Sequence, residues 1–212
     1  MSHWSETTQE RAREIISRYP EKRSAVMPLL YLAMAEEGHL TEEGMEEVGR
    51  WCEITPAQVL SVASFYTMYK RERTGKYLIS CCTSISCMLG GGDDVLRAVE
   101  DESGVPHGET DPDGVLSVEH VECIGACGGA PAVQVNYELI EGVTPDKARE
   151  LVKWLKGARP EVVNTDEMQG LFGGERSFDW AVKEEDGAVG PYPAFQPLGT
   201  VGSEGGACRH HS

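Results

Sequence analysis

Two short stretches decide how the second half of this chain is expected to fold: residues 122–131 read ECIGACGGAP, and residues 77–89 read YLISCCTSISCML. Each stretch carries one pair of cysteines, spaced C-x4-C and C-x3-C in chain order, with 35 residues between the pairs: Cys82, Cys87, Cys123 and Cys127. Each pair stands where a predicted strand gives way to a turn. Such a loop can direct two thiolates at one point and turn backbone N–H groups towards the sulfurs.

Two thiolate pairs suit a [2Fe–2S] cluster, because each of its irons takes two thiolates. The glycines and alanines of 124–130 permit a close backbone approach to such a group. Ile85, Met88 and Leu89 are expected to keep water off one side of it. The spacing alone also leaves two alternatives open. One is structural zinc, whose cysteine pairs usually stand closer together, and the other is a set of reactive or structural thiols.

Composition excludes several classes of function. The 212 residues carry a formal net charge of −16, which disfavours binding to nucleic acid and to anionic membrane surfaces. No apolar stretch reaches the roughly 18–20 residues that a membrane span needs, so we expect no direct membrane insertion. Seven cysteines, an odd number, with no secretory signal ahead of them favour metal or redox chemistry in the cytosol over a disulfide framework.

The first 75 residues are predicted to form a helical bundle. Apolar residues recur at helical spacing in 12–19, 26–33, 45–52 and 59–66. Thr41 is expected to cap the third helix. Thr55, followed by proline and by glutamine three positions on, is expected to cap the fourth with a capping box.

Residues 76–157 are predicted to form a second domain of the α+β class with a mixed sheet. The predicted strands are 77–81, 115–122, 132–136 and 137–140, the predicted helices begin at Asp93 and after Thr144, and 107–114 is expected to be a loop. Residues 158–212 are rich in glycine, proline and acidic residues, without a persistent period. We expect an extended or disordered tail there, with isolated aromatic residues that could contact a partner: Phe172, Trp180, Tyr192 and Phe195.

The two cysteine stretches closely resemble the family of the 24 kDa subunits of respiratory complex I, whose bacterial form is NADH-quinone oxidoreductase. Residues 24–37 and 63–69 also look like that family, and the resemblance covers about 8–157. It implies a helical bundle followed by a thioredoxin-like ferredoxin domain. It also implies one [2Fe–2S] cluster on Cys82, Cys87, Cys123 and Cys127.

Cys81 stands beside Cys82 and could be mistaken for the ligand. Cys82 keeps the C-x4-C spacing of the family, and neighbouring side chains on a strand point to opposite faces. Cys81 is therefore expected to be a buried thiol. Cys52 is expected to be a core residue. The end of the chain, from Cys208 through the histidines that follow it, is expected to be unstructured.

The resemblance implies electron transfer, with no catalytic residue on this chain. The expected partners are the flavin- and NADH-binding subunit, which would hold FMN and NADH, and the large iron–sulfur subunit beside it. The expected location is peripheral, on the cytoplasmic face of a bacterial plasma membrane. The alternatives are the equivalent subunit of an NAD-linked hydrogenase or formate dehydrogenase and, in another class, a zinc-stabilised scaffold. A dithiol enzyme is disfavoured because no C-x-x-C is present.

Overall fold

A computed structural model describes residues 3–178 and 187–192. The chain divides into two compact units, and within the described residues these are 3–75 and 76–178 with 187–192. The expectations for Trp180, Phe195 and the Cys208 end fall outside the described residues. No helix in the described part is both long enough and apolar enough to cross a bilayer.

The first unit is a bundle of helices, which confirms the prediction. Its elements are α1 (Glu6–Ser17), a short 3-10 helix (Lys22–Ala25), α2 (Val26–Glu37), α3 (Glu42–Cys52) and α4 (Pro56–Phe65). The Thr41 side chain accepts a hydrogen bond from the backbone N–H of Gly44, and Thr55 forms the expected capping box with Gln58. The core of this unit is apolar and includes Leu29, Leu30, Ala33, Val48 and Val59.

The second unit contains a mixed sheet, as predicted, but with five strands where four were expected. Its strands are β1 (Tyr77–Cys82), β2 (Glu109–Thr110), β3 (Leu116–Val121), β4 (Val133–Val135) and β5 (Glu138–Ile140). Their order across the sheet is β2-β3-β1-β4-β5, with β1 and β3 parallel and the other pairs antiparallel. The helices are α5 (Ile85–Leu89), α6 (Gly92–Ser103), α7 (Pro145–Ala158) and α8 (Thr165–Phe172).

The core of the second unit joins the sheet to its long helices. Side chains of β1, α6 and α7 share one cluster that includes Ile79, Val95, Val99, Leu151 and Leu155. The apolar stripes of two amphipathic helices are thereby buried on the sheet. The parallel pairing of β1 with β3 places the carboxyl ends of these two strands side by side.

The structure differs from the sequence expectations in three places. A short strand, β2, lies within 107–114, which was expected to be a loop. The helix α5 begins three residues after the end of β1, where only a turn was expected. The third difference is α8, where an extended tail was expected. Met168 and Phe172 of this helix are buried in the main core, and the Asn164 side chain accepts hydrogen bonds from the backbone N–H groups of Asp166 and Glu167. The helix has only three large apolar positions, Met168, Leu171 and Phe172, which is a short pattern in a segment rich in glycine and acidic residues. Burial of Met168 and Phe172 in the core therefore contributes to fixing this helix.

Candidate iron–sulfur site

The first cysteine pair lies at the end of the central strand. Cys82 is the last residue of β1, and Cys87 lies on the single-turn helix α5. Gly92, at the start of α6, is packed under this loop. A Cβ added there would lie 2.8 Å from the carbonyl oxygen of Cys82 and 2.9 Å from that of Cys87. Only glycine permits this close approach, which holds the loop folded back on itself.

The two adjacent cysteines of β1 lie in different clusters. Cys81 belongs to the main core with Ile79 and Val95, and burial raises the pKa of its thiol to about 12. Cys82 instead packs with Cys87, Ala126 and Ala132. The alternation of side chains along the strand therefore places Cys82, and not Cys81, on the side of the second cysteine loop.

The second pair follows β3. Cys123 comes two residues after the end of the strand, and Cys127 opens a short 3-10 turn, Cys127–Gly129. Gly125 between them has φ +89°, a conformation that side chains rarely adopt. The Sγ atoms of Cys123 and Cys127 are 3.4 Å apart, and both residues are exposed. No disulfide joins any of the six cysteines that the structure describes.

Strand pairing brings the two loops together. In the parallel pairing of β1 with β3, Cys82 lies opposite Val121, so both chains leave the sheet at the same edge. The backbone N–H of Thr83 then donates to the carbonyl oxygen of Val121 at 3.2 Å. Since the carboxyl ends of parallel strands share one edge, the two cysteine loops must meet there.

Hydrogen bonds cross from one loop to the other. A hydrogen bond from the Ser86 side chain acts to lower the pKa of Cys127, and one from the backbone of Ala132 acts to lower the pKa of Cys87. Cys82 contacts Cys87 and lies within electrostatic range of Cys127. Both donors would stabilise negative charge on the sulfurs, which an iron–sulfur cluster needs.

The pKa values of the thiols reflect this crowding. Burial raises the pKa of Cys87 to about 11, and the contact with Cys82 adds to the rise. The hydrogen bond with Cys123 raises the pKa of Cys127. A thiolate is the form that binds iron, so a metal must displace protons from this site.

The residues present fit a [2Fe–2S] cluster. Among residues 3–178 and 187–192, no three His, Cys, Asp or Glu side chains are grouped as ligands of a single ion. The thiols instead form two pairs, which is the arrangement that two irons with two thiolates each would take. That these four cysteines are the ligands stays a prediction.

One expectation about the surroundings is wrong, and two contacts escaped sequence reasoning. Ile85, Met88 and Leu89 do not shield the site within this chain, because they are 66%, 43% and 79% exposed. The cross-loop donors Ser86 and Ala132 could not be paired with particular sulfurs from the sequence, since those pairs depend on how the strands associate.

Comparison with known proteins defines the family. The family model described as thioredoxin-like [2Fe-2S] ferredoxin matches residues 12–156. The chain belongs to this family, which supports a [2Fe–2S] cluster as its cofactor. The fold predicted from the resemblance is thus confirmed.

Two similar proteins are both named as subunits of NADH-quinone oxidoreductase. The E subunit of NADH-quinone oxidoreductase from Mycobacterium tuberculosis is 45% identical over 150 residues, which cover 71% of this chain and 60% of the relative. The chain therefore matches about three fifths of the length of that relative. NADH-quinone oxidoreductase subunit 2 of Thermus thermophilus is 38% identical over 154 residues, covering 71% of this chain and 85% of the relative.

A solved structure shares the fold. The crystal structure of an NAD+-reducing [NiFe]-hydrogenase in the air-oxidized state superposes with a TM-score of 0.57 at 18% identity, covering 64% of this chain and 23% of the other. At this identity the likeness concerns the fold alone.

Proposed function

We propose that this chain is an electron-transfer subunit of a proton-translocating NADH:quinone oxidoreductase, with one [2Fe–2S] cluster on Cys82, Cys87, Cys123 and Cys127. One observation carries the ligand assignment: the parallel pairing of β1 with β3 brings both cysteine loops to one edge of the sheet. When bound, the cluster accepts and releases one electron. The chain contributes the thiols, the donors on the sulfurs and the surface through which electrons arrive.

The names of the relatives support the assembly. The proposed partners are the flavin-bearing subunit that oxidises NADH, which would hold FMN and NADH, and the large iron–sulfur subunit beside it. The proposed location is peripheral, on the cytoplasmic face of the plasma membrane. The exposure of Cys123 and Cys127 supports electron entry from a neighbouring subunit at this edge of the sheet.

A surface next to the cysteines supports docking. We call Ile85, Met88 and Leu89 the α5 patch; these three exposed apolar side chains lie on the helix that carries Cys87. Exposed apolar patches of this kind mark protein–protein contacts. The proposal assigns the α5 patch to the interface with the flavin-bearing subunit.

The experiment that tests the proposal measures iron, acid-labile sulfide and the EPR spectrum of the reduced full chain. We expect about two irons and two sulfides per chain. Cys82→Ala should lose the cluster, whereas Cys81→Ala, the matched control on the same strand, should keep it. A colourless protein that holds zinc would overturn the proposal. Iron lost in Cys81→Ala and kept in Cys82→Ala would overturn the ligand assignment.

Co-purification decides the assembly. Recovery with an NADH-oxidising flavoprotein and quinone-reducing subunits is the expected result. Recovery with a hydrogenase or a formate dehydrogenase would assign the same electron-transfer role to another enzyme.

A further inference from the structure

The segment 164–177 follows the end of the family match at residue 156 and is bound to the strand end below the second cysteine loop. The Gln169 side chain pairs with the backbone of Glu141 in both directions. Its Oε1 accepts from the Glu141 N–H at 2.8 Å, and its Nε2 donates to the Glu141 carbonyl at 3.1 Å. The backbone N–H of Gly174 donates to the same carbonyl at 2.8 Å. These contacts attach the segment to β5 where that strand ends.

The Glu141 carboxylate is the centre of these contacts. Glu141 is 6% exposed, and a carboxylate buried to this extent needs partners. Its Oε1 accepts hydrogen bonds from the Ser177 hydroxyl and from the Ser177 backbone N–H, the latter at 3.3 Å. The segment beyond the family match thus supplies donors to the buried charge.

Glu141 and Ser177 in turn contact the residues that directly follow Cys127. A Cβ added to Gly129 would lie 2.7 Å from the Cβ of Glu141, and one added to Gly128 would lie 2.7 Å from the Cβ of Ser177. The backbone N–H of Gly142 donates to the Gly129 carbonyl at 2.6 Å. The loop therefore lies directly on these two side chains, without room for even a methyl group between them.

We propose that Glu141, Gln169 and Ser177 are positioning residues that fix the Cys127 loop and thereby set how firmly the cluster is held and at what potential it is reduced. This inference rests on the proposed function, because it takes Cys127 as a ligand. Groups outside the ligand set orient the ligands and tune the metal through hydrogen bonds and charge. Here a segment beyond the family match carries out part of that task.

The first test compares Ser177→Ala with Thr165→Ala in the full chain loaded with its cluster. Thr165 is the matched control, because its hydroxyl binds Glu138 and the Leu139 N–H from the same segment but does not contact Glu141. We expect Ser177→Ala to lose iron to a chelator about tenfold faster. A factor of about ten is the lower end of the loss in metal affinity that follows when a residue supporting a metal ligand is removed. Its midpoint potential should fall, because the Glu141 charge is less offset. Thr165→Ala should match the wild type in both.

The second test asks whether the contact itself matters. Gly128→Ala should speed cluster loss, because its Cβ meets that of Ser177. Adding Ser177→Gly removes the opposing Cβ, and the double variant should recover to the level of Ser177→Gly alone.

Three results would overturn the inference. The inference would be refuted if Ser177→Ala and Thr165→Ala behaved alike, or if the double variant did not recover. The proposed function would still stand in either case, because the wild-type chain would hold its cluster. A wild-type chain that takes up no [2Fe–2S] cluster would refute both.

Discussion

At the scale of single residues, the site depends on which groups face the four thiols. Cys81 and Cys82 are neighbours in sequence, yet one is a core residue and the other lies with Cys87. Burial and the adjoining thiol raise the pKa of Cys87 to about 11. These contacts favour the protonated form of the Cys87 thiol when no metal is bound.

The raised thiol pKa values predict a pH-dependent assembly of the cluster. At neutral pH the free thiols of Cys87 and Cys127 are protonated, and the thiolate fraction grows as the pH rises towards their pKa values. Reconstitution with iron and sulfide should therefore accelerate as the pH rises from neutral towards the Cys87 pKa of about 11, and acid should promote cluster loss. Absorbance during reconstitution measures this. Cys81→Ala, the control, should show the same profile, and a rate independent of pH would contradict the prediction.

The carboxylate of Glu36 predicts a loss of stability in acid. It accepts hydrogen bonds from the Ser5 N–H at 2.8 Å and the Thr8 hydroxyl at 2.7 Å. Burial acts to raise the pKa of Glu36, but the hydrogen bonds from Ser5 and Thr8 outweigh it and leave the pKa below its usual 4.5. A lowered folded-state pKa means that the stabilisation is present above about pH 4.5 and disappears as the pH falls through the folded value.

The measurement is the melting temperature of Glu36→Gln against the wild type across pH. The variant should melt lower at pH 7, and the gap should close in acid. Glu10→Gln, an exposed carboxylate of α1, serves as the control and should show no such trend. A gap that widened in acid would contradict the assignment.

At the scale of elements, local signals explain the helices of the first unit. Thr55 accepts from the Gln58 N–H at 3.3 Å, and the Gln58 side chain accepts from the Thr55 N–H at 3.0 Å. With Pro56 at the first helical position, these contacts satisfy donors that would otherwise have no partner. The start of α4 is therefore set by three residues close together in sequence.

This cap predicts a measurable stability. Thr55→Ala should lower the free energy of unfolding by about 1 kcal/mol, because the backbone donors at the start of α4 lose their acceptor. Urea unfolding of the full chain measures the change. Thr55→Ser keeps the hydroxyl and should lie close to the wild type; if both variants were equally destabilised, the cap would not be the cause.

At the scale of the whole molecule, Cys123, Cys127 and the α5 patch are exposed, and the proposed function assigns them to the interface with the flavin-bearing subunit. Leu89 is the most exposed member of the patch. Leu89→Glu should weaken association with the flavin-bearing subunit, because it places a charge in an apolar contact. Leu89→Met, which stays apolar, is the matched control and should bind like the wild type.

The readout is co-purification together with the rate at which NADH reduces the cluster in the assembled enzyme. Iron content should stay unchanged in both variants. Unimpaired association of Leu89→Glu would show that the α5 patch lies outside the interface.

The helical unit, the mixed sheet and the residue types of the candidate site could all be predicted from the amino-acid sequence. Caps, apolar periods and cysteine spacing are local properties, so a few neighbouring residues suffice to predict them. The alternation along β1 likewise predicted that Cys81 and Cys82 would face opposite sides, as their separate clusters show. The expectation that Cys52 is buried in the helical core is also confirmed.

The helix α8, the exposure of the α5 patch and the contacts around the cysteine loops depended on the folded chain. The Asn164 cap at the start of α8 is a local feature, but the burial of Met168 and Phe172 requires a core assembled from distant strands. Ser177 reaches Glu141 across 36 residues of sequence. Burial and cross-loop hydrogen bonds depend on which surfaces folding brings together. No local pattern encodes that, since the same residues could pair differently on another arrangement of strands.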